Sequence, residues 1–226
     1  MSPPLIVAID GPSGAGKSTA ARMLASRLGV PYIDTGAMYR AVGLAARERG
    51  VRLPIADPAE ATAVADGVSI ELVPTPAGDR VLLDGRDVTE LIREPEISLY
   101  ASAVSAIPAV RRRLVSEQQR LGRARGGVLE GRDIGTRVFP ETPHKFFLTA
   151  PPEVRAARRT AELRVRGTPQ AYEAVLRDME KRDSDDSSRQ DSPLTLDGRY
   201  VVMDTGSLSP EGVVAEMERR VLRSGG

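Results

Sequence analysis

The chain contains no cysteine. Disulfide staples, thiol nucleophiles and thiolate metal sites are therefore excluded. Histidine occurs once, as His144 between Pro143 and Lys145; it is expected in a surface turn and is given no role. Lysine is nearly as scarce. Of the 32 basic residues only Lys17, Lys145 and Lys181 are lysines, so arginine supplies the rest. Arginine grips phosphates and carboxylates with a two-pronged fork. Long apolar runs are missing too. The stretch from Leu5 to Ile9 is too short for a signal peptide or a membrane span, and the expectation is a cytoplasmic protein with no membrane partner. Charge of one sign is not in excess: the net charge is +1 and the pI about 8.1. No global field recruits a nucleic acid polymer. No internal repeat and no long linker is found.

What is present fits an ordinary soluble globular protein. A chain of 226 residues, 41% hydrophobic and 28% charged, can bury a core built as one α/β unit with a small appendage. Its first informative stretch is Ile6-Val7-Ala8-Ile9-Asp10, an apolar run that reads as a buried parallel strand. Gly11, Pro12, Ser13, Gly14, Ala15, Gly16, Lys17, Ser18 and Thr19 follow, and Ala20 onward starts a helix. Gly11 to Ser18 fits the phosphate-binding pattern G-x-x-x-x-G-K-[ST]. Small residues let backbone N–H groups curl around an anion at a helix N-terminus. Lys17 is expected to reach the β- and γ-phosphates of a nucleoside triphosphate, and the Ser18 hydroxyl to ligate Mg²⁺.

The rest alternates strands and helices. The first helix is expected over 17–28, stopping at Gly29, and Val30–Asp34 as a short strand. Thr35 is a plausible cap for a second helix running to Glu48. Asp57-Pro58-Ala59-Glu60 opens another. Val68–Val73 then alternates with period two, 74–79 reads as a turn and Arg80–Asp84 as a second strand. This hairpin interrupts the βα progression, so 57–94 is an inserted subdomain. Helices are expected over 96–105 and 108–121, strands at 126–130 and 145–149, and a helix over 152–166 carrying Arg155, Arg158 and Arg159. Thr168 and Pro169 open a helix over 170–183, and the polar run 185–192 should fray or move. A last strand at 200–204 and a helix capped by Ser209 complete the chain. Alternating strands and helices imply a parallel sheet covered on both faces, with ligands outside the strands' carboxyl ends. Asp10, Asp34, Glu130 to Asp133, and Asp204-Thr205 all fall at such ends.

Arginines suggest a second anion. Arg40 lies inside the second helix, Arg132 follows a strand end, and Arg182, Asp186 and Arg189 share one helical face by spacing. In these residues the chain resembles bacterial cytidylate kinases. The resemblance rests on Gly11–Thr19, Asp34-Thr35-Gly36-Ala37-Met38-Tyr39-Arg40, Gly131-Arg132-Asp133-Ile134-Gly135-Thr136 and the spaced Arg182, Asp183, Asp186 and Arg189. It implies a P-loop parallel sheet with an inserted small α+β monophosphate-binding subdomain and a mobile lid. The core is expected at 1–34, 106–150 and 192–226, the monophosphate-binding region at 35–105, the lid at 151–168 and a substrate-binding helix at 169–191. The implied reaction is phosphorylation of CMP and dCMP by ATP, in a monomer. Arg40, Arg132 and Arg189 would hold the CMP phosphate. Ser102, Arg111 and Asp133 would read cytosine, Arg182 and Asp186 would contact the ribose, and Thr35 stands where serine is also usual. Arg137 is basic where the resemblance expects an apolar residue.

Chemistry supports the base assignment. Cytosine offers a donor at N4 and acceptors at N3 and O2, which suit a carboxylate and two donors. Uracil replaces the N4 donor with an acceptor and would be rejected. An already anionic phosphate acceptor needs no general base, so catalysis reduces to positioning and charge neutralisation. Arg155, Arg158 and Arg159 are candidate lid cations for the transferring group. Two rival readings remain: a P-loop kinase for UMP or a metabolite alcohol, where Asp34 or Asp133 could act as base, and a GTPase switch. The guanine-reading Asn-Lys-x-Asp is absent.

Overall fold

In the computed structural model, residues 4–75, 79–189 and 191–223 are described. The chain divides into two units, one of Pro31–Gly127 and the other of Leu5–Val30 with Val128 onward. Strands β1 (Ile6–Asp10), β2 (Tyr32–Asp34), β6 (Gly127–Glu130), β7 (His144–Thr149) and β8 (Val201–Asp204) form a sheet of order β2-β6-β1-β7-β8. Parallel pairing sets Asp10 opposite Phe147 and Phe147 opposite Val202. Almost every residue of β1, β6 and β7 is buried, as expected of parallel strands covered on both faces.

Helix α1 (Lys17–Leu28) leaves the turn after β1 and ends at Gly29, whose left-handed backbone (φ 65°) donates to Ala25 and Ser26 carbonyls. Later in this unit come α6 (Pro152–Val165), α7 (Tyr172–Ser188) and α8 (Pro210–Arg223). Ala156 and Leu163 of α6 pack on Val175 and Met179 of α7. Ser209 caps α8, its hydroxyl accepting from Gly212 N at 3.1 Å. The helix expected at 170–183 differs. Thr168 does not cap it; its N–H instead closes α6 by donating to Leu163 O at 3.0 Å. α7 starts at Tyr172 with Ala171 uncapped and continues through Ser188. The polar run 185–188, expected to fray, is therefore helical, for a reason given below. Gln190 lies outside the described residues.

The other unit holds α2 (Thr35–Glu48), α3 (Pro58–Asp66), β3 (Ile70–Val73), β4 (Arg80–Leu83), β5 (Arg86–Asp87), α4 (Pro95–Ser105) and α5 (Pro108–Arg125). The cap of α2 is Asp34, not Thr35. The Asp34 carboxylate accepts from Ala37 N at 2.9 Å, while Thr35 is the first helical residue and is buried. Asp57 caps α3 as expected, accepting from Ala59 N. Strands β3, β4 and β5 form a separate antiparallel sheet. Asp84 (φ 51°) and Gly85 (φ 79°) make its tight β4–β5 turn. The turn expected at 74–79 includes 76–78, which lie outside the described residues. Helices α2 and α4 approach closely at Gly43, where a Cβ would sit 2.9 Å from the Ala101 nitrogen. The expected core segment 106–150 does not coincide with this division, because α5 falls in the Pro31–Gly127 unit. Among the described residues no helix is long and apolar enough to cross a membrane.

Candidate active site

The turn between β1 and α1 has the geometry its glycines suggest. Gly11 has φ 143°, and a Cβ there would lie 2.1 Å from the Leu148 carbonyl oxygen. Gly14 and Gly16 also have positive φ, 74° and 81°. No side chain caps α1 at Gly16, which leaves its N-terminal amides for an anion. Three carbonyls of the turn are taken by side chains. Lys17 Nζ donates to Pro12 O at 2.7 Å, Arg155 Nη1 to Ser13 O at 3.1 Å and Thr205 Oγ1 to Ala15 O at 3.1 Å. Ser18 is half-buried at the first turn of α1, and Thr19 is exposed.

Lys17 is buried. Burial drives its ammonium well below the usual lysine range, the positive charge of Arg132 adds to the effect, and Glu130, Asp186 and Asp10 offset part of it. The loop lysine and Arg132 thus share one electrostatic neighbourhood. Arg132 Nε donates to Asp186 Oδ2 at 2.8 Å, and Arg189 Nη2 pairs with Asp186 Oδ1 at 2.5 Å. A single buried carboxylate therefore holds two of the three arginines expected to grip a phosphate. Burial alone would raise the Asp186 carboxyl, but the two guanidinium groups outweigh it and keep it below the usual range. This pairing also explains the helical 185–188. Unwinding that turn would strand a buried charge, a cost of roughly 3–5 kcal/mol. Arg182 is half-buried on the same helix.

Asp133 is buried beyond β6, after Gly131 and Arg132, and precedes a π-helical turn, Ile134–Val138. Its carbonyl accepts from the amides of Arg137 and Val138. Arg137, basic where the resemblance expects an apolar side chain, is exposed, so its charge is met by solvent. His144 opens β7 rather than sitting in a turn, and burial lowers its imidazole.

The three arginines of α6 have separate fates. Arg155 is buried; besides Ser13 O it donates to Ala150 O and to the Asp183 carboxylate. Arg158 donates to Thr205 Oγ1 and O, and Arg159 pairs with Glu162 near the surface. Sequence reasoning missed the bracing by Arg155 and Thr205. Nothing in the residue spacing places Arg155 against Ser13, although Thr205 did fall at a strand end.

In the other unit, Arg111 is buried on α5, stacked over the Tyr39 ring at 5.4 Å and donating to Tyr39 OH and Ser105 O, both at 3.3 Å. Arg40 lies near Gly36, and Thr35 is buried at the start of α2. Ser102 is half-buried, and its carbonyl accepts from Ser105 Oγ.

A phosphate turn rooted on an inner parallel strand, with arginine pairs beside its lysine, places this molecule among the P-loop nucleotide kinases. Comparison with known proteins narrows the class. The family model described as cytidylate kinase matches residues 7–223. A cytidylate kinase of Rhodococcus jostii is 48% identical over 214 residues, covering 94% of this chain and 93% of that one. One from Caldanaerobacter subterraneus subsp. tengcongensis is 45% identical over 218 residues, 96% and 95% of the two chains. The chain belongs to the cytidylate kinase family. Among solved structures, an uncharacterized protein from Eubacterium ventriosum shares the fold with a TM-score of 0.54 at 12% identity, over 97% of this chain and 98% of that one.

Proposed function

We propose that the chain transfers the γ-phosphoryl group of ATP to CMP and dCMP, giving CDP and dCDP. The observation that carries this reading is the closeness of two cations that would serve opposite substrates: Lys17 of the donor turn and Arg132, each within reach of the other's charge. Gly11 to Thr19 cradle the triphosphate, with Lys17 exchanging Pro12 O for phosphate oxygens. Arg40, Arg132 and Arg189 hold the CMP phosphate; Asp186 keeps the last two aimed. Ser102, Arg111 and Asp133 read the cytosine edge, Arg182 and Asp186 contact the ribose, and Thr35 lends its hydroxyl.

The metal fits the donor set. Among the described residues no group of three or more histidine, cysteine or acidic side chains could hold an ion. Mg²⁺ keeps several waters and needs few protein oxygens when substrate phosphates supply the rest. Ser18 would hold it, and when bound it neutralises charge on the transferring group. The CMP oxygen is already anionic, so no residue need remove a proton before attack. The chain's contribution is to align the two anions and lower their repulsion. The segment 151–168 acts as the lid, and on closure Arg155, Arg158 and Arg159 exchange their partners for phosphate oxygens and exclude water.

The test is a coupled assay of the purified chain with ATP and each common nucleoside monophosphate. CMP and dCMP should be turned over well above UMP, with little turnover of AMP. Equal use of AMP overturns the cytosine reading, and triphosphate hydrolysis indifferent to any acceptor overturns the kinase reading.

A further inference from the structure

The residue ahead of Gly11 makes contacts that the reaction above does not use. Asp10 is fully buried at the end of β1. Its Oδ1 accepts from Ile134 N at 2.9 Å, and its Oδ2 from Gly135 N at 2.8 Å and Tyr200 OH at 2.7 Å. Ile134 and Gly135 open the π-helical turn that follows Asp133. Their amides belong to the set that a helical turn leaves without an internal acceptor. Asp10 supplies both acceptors from 124 residues away in the chain. Tyr200 also packs closely on the turn at Gly135. A Cβ on Gly135 would lie 2.7 Å from the Tyr200 oxygen and 3.0 Å from Lys145 Cδ. The Tyr200 ring is itself fixed, edge-on to Phe147 with centroids 5.9 Å apart.

The two ends of this arrangement are held differently. The root of the donor turn is fixed by backbone: Asp10 pairs with Phe147 in the β1–β7 ladder. Ahead of Asp133, Gly131 N bonds Ile9 O at 3.0 Å. After Asp133, the Asp10 side chain ties the Ile134 and Gly135 amides to β1. Loss of the side chain should therefore loosen the Asp133 turn and spare the phosphate turn.

We propose that Asp10, oriented by the Tyr200 hydroxyl, is a positioning residue for acceptor selectivity: it fixes the turn that presents Asp133 to the base. The proposal rests on the reading of Asp133 as the group that recognises cytosine. Two oxygens on two successive amides define both the height and the tilt of that turn. A site built for a hydrogen-bond donor discriminates only while its acceptor stays in register. Asparagine at position 10 would set an NH₂ against one of the backbone donors and lose that register. Phenylalanine at position 200 would leave both amide bonds but release the carboxylate from its third donor.

The experiment compares initial-rate kinetics of the full chain with those of Asp10→Asn and Tyr200→Phe, for CMP, UMP and ATP. Thermal melts run alongside. Asp10→Asn should raise KM for CMP about tenfold and cut the CMP-over-UMP preference by a similar factor. Its KM for ATP should stay within about twofold of the parent. Tyr200→Phe should shift the same two quantities in the same direction by about threefold. It keeps the ring packing, so it answers the question even if Asp10→Asn does not fold. A merely structural role predicts lower melting temperatures with the CMP-over-UMP ratio unchanged, and that result overturns the proposal. So does a rise in KM for ATP that matches the rise for CMP. A parent chain that does not prefer CMP overturns the cytosine reading and this proposal with it; a selective parent with equally selective variants overturns this proposal alone.

Discussion

Burial pushes the Asp10 carboxyl from 3.8 up to about 6, against the pull of the Gly135 amide, the Tyr200 hydroxyl and the Ile134 amide. The unfolded chain ionises this group about two units lower. Its contribution to stability is thus complete below about pH 4 and is lost as pH rises through about 6, a change on the order of 3 kcal/mol. Asp186 behaves in the opposite sense. Its folded value is depressed, so its contribution is present above the unfolded value and lost as pH falls through the folded one. Melts of the parent and Asp10→Asn at about pH 5 and about pH 7.5 check the first sign, and melts of the parent and Asp186→Ala at about pH 7.5 and below about pH 3 check the second. The Asp10→Asn deficit should shrink at the higher pH. The Asp186→Ala deficit should be about 3 kcal/mol at neutral pH, because Arg132 and Arg189 lose their common partner, and should fall on acidification. At this scale the sequence was legible where one residue type has one use. The glycine turn could be read from its spacing, and Gly11, Gly14 and Gly16 have the positive φ it requires. Asp10 could not be read this way, since its partners lie far along the chain and an aspartate at a strand end has many possible fates.

Helices and turns show where local rules were overruled. The cap of α2 is Asp34 rather than Thr35; both types cap helices, and propensity could not choose between neighbours. The run Asp185-Asp186-Ser187-Ser188 has poor helix propensity and yet is helical. Its order comes from Arg132, outside the segment, as well as from Arg189. The π-helical turn after Asp133 left no periodic signal at all. Helix α6 was legible as a helix, but its Arg155 was read as a lid cation while the structure has it bracing the phosphate turn through Ser13 O. Truncating it tests which of the two roles dominates. Arg155→Ala should raise KM for ATP by about fivefold and KM for CMP by less, in initial-rate assays. An effect on kcat alone would assign Arg155 to the transferring group instead.

Across the molecule, the parallel sheet, the separate antiparallel hairpin and the order of helices were all legible, because period-two and period-3.6 patterns alternate clearly. The grouping of α5 with Pro31–Gly127 was not, since it depends on packing that adjacent sequence does not encode. Among the described residues no group of three or more histidine or acidic side chains could hold a structural ion. Chelation by EDTA should therefore abolish turnover while leaving the melting temperature of the nucleotide-free protein unchanged. A chelator-induced drop in melting temperature would reveal a structural ion. One detail of the phosphate turn bears on how the first substrate arrives. Pro12, Ser13 and Ala15 each spend their carbonyl on a side chain, and two of those side chains, Arg155 and Thr205, come from distant parts of the chain. The ordering entropy of the cradle is met while the protein folds. An incoming phosphate group then finds its receptor already shaped, and Lys17 need only let go of the Pro12 oxygen to take hold of it.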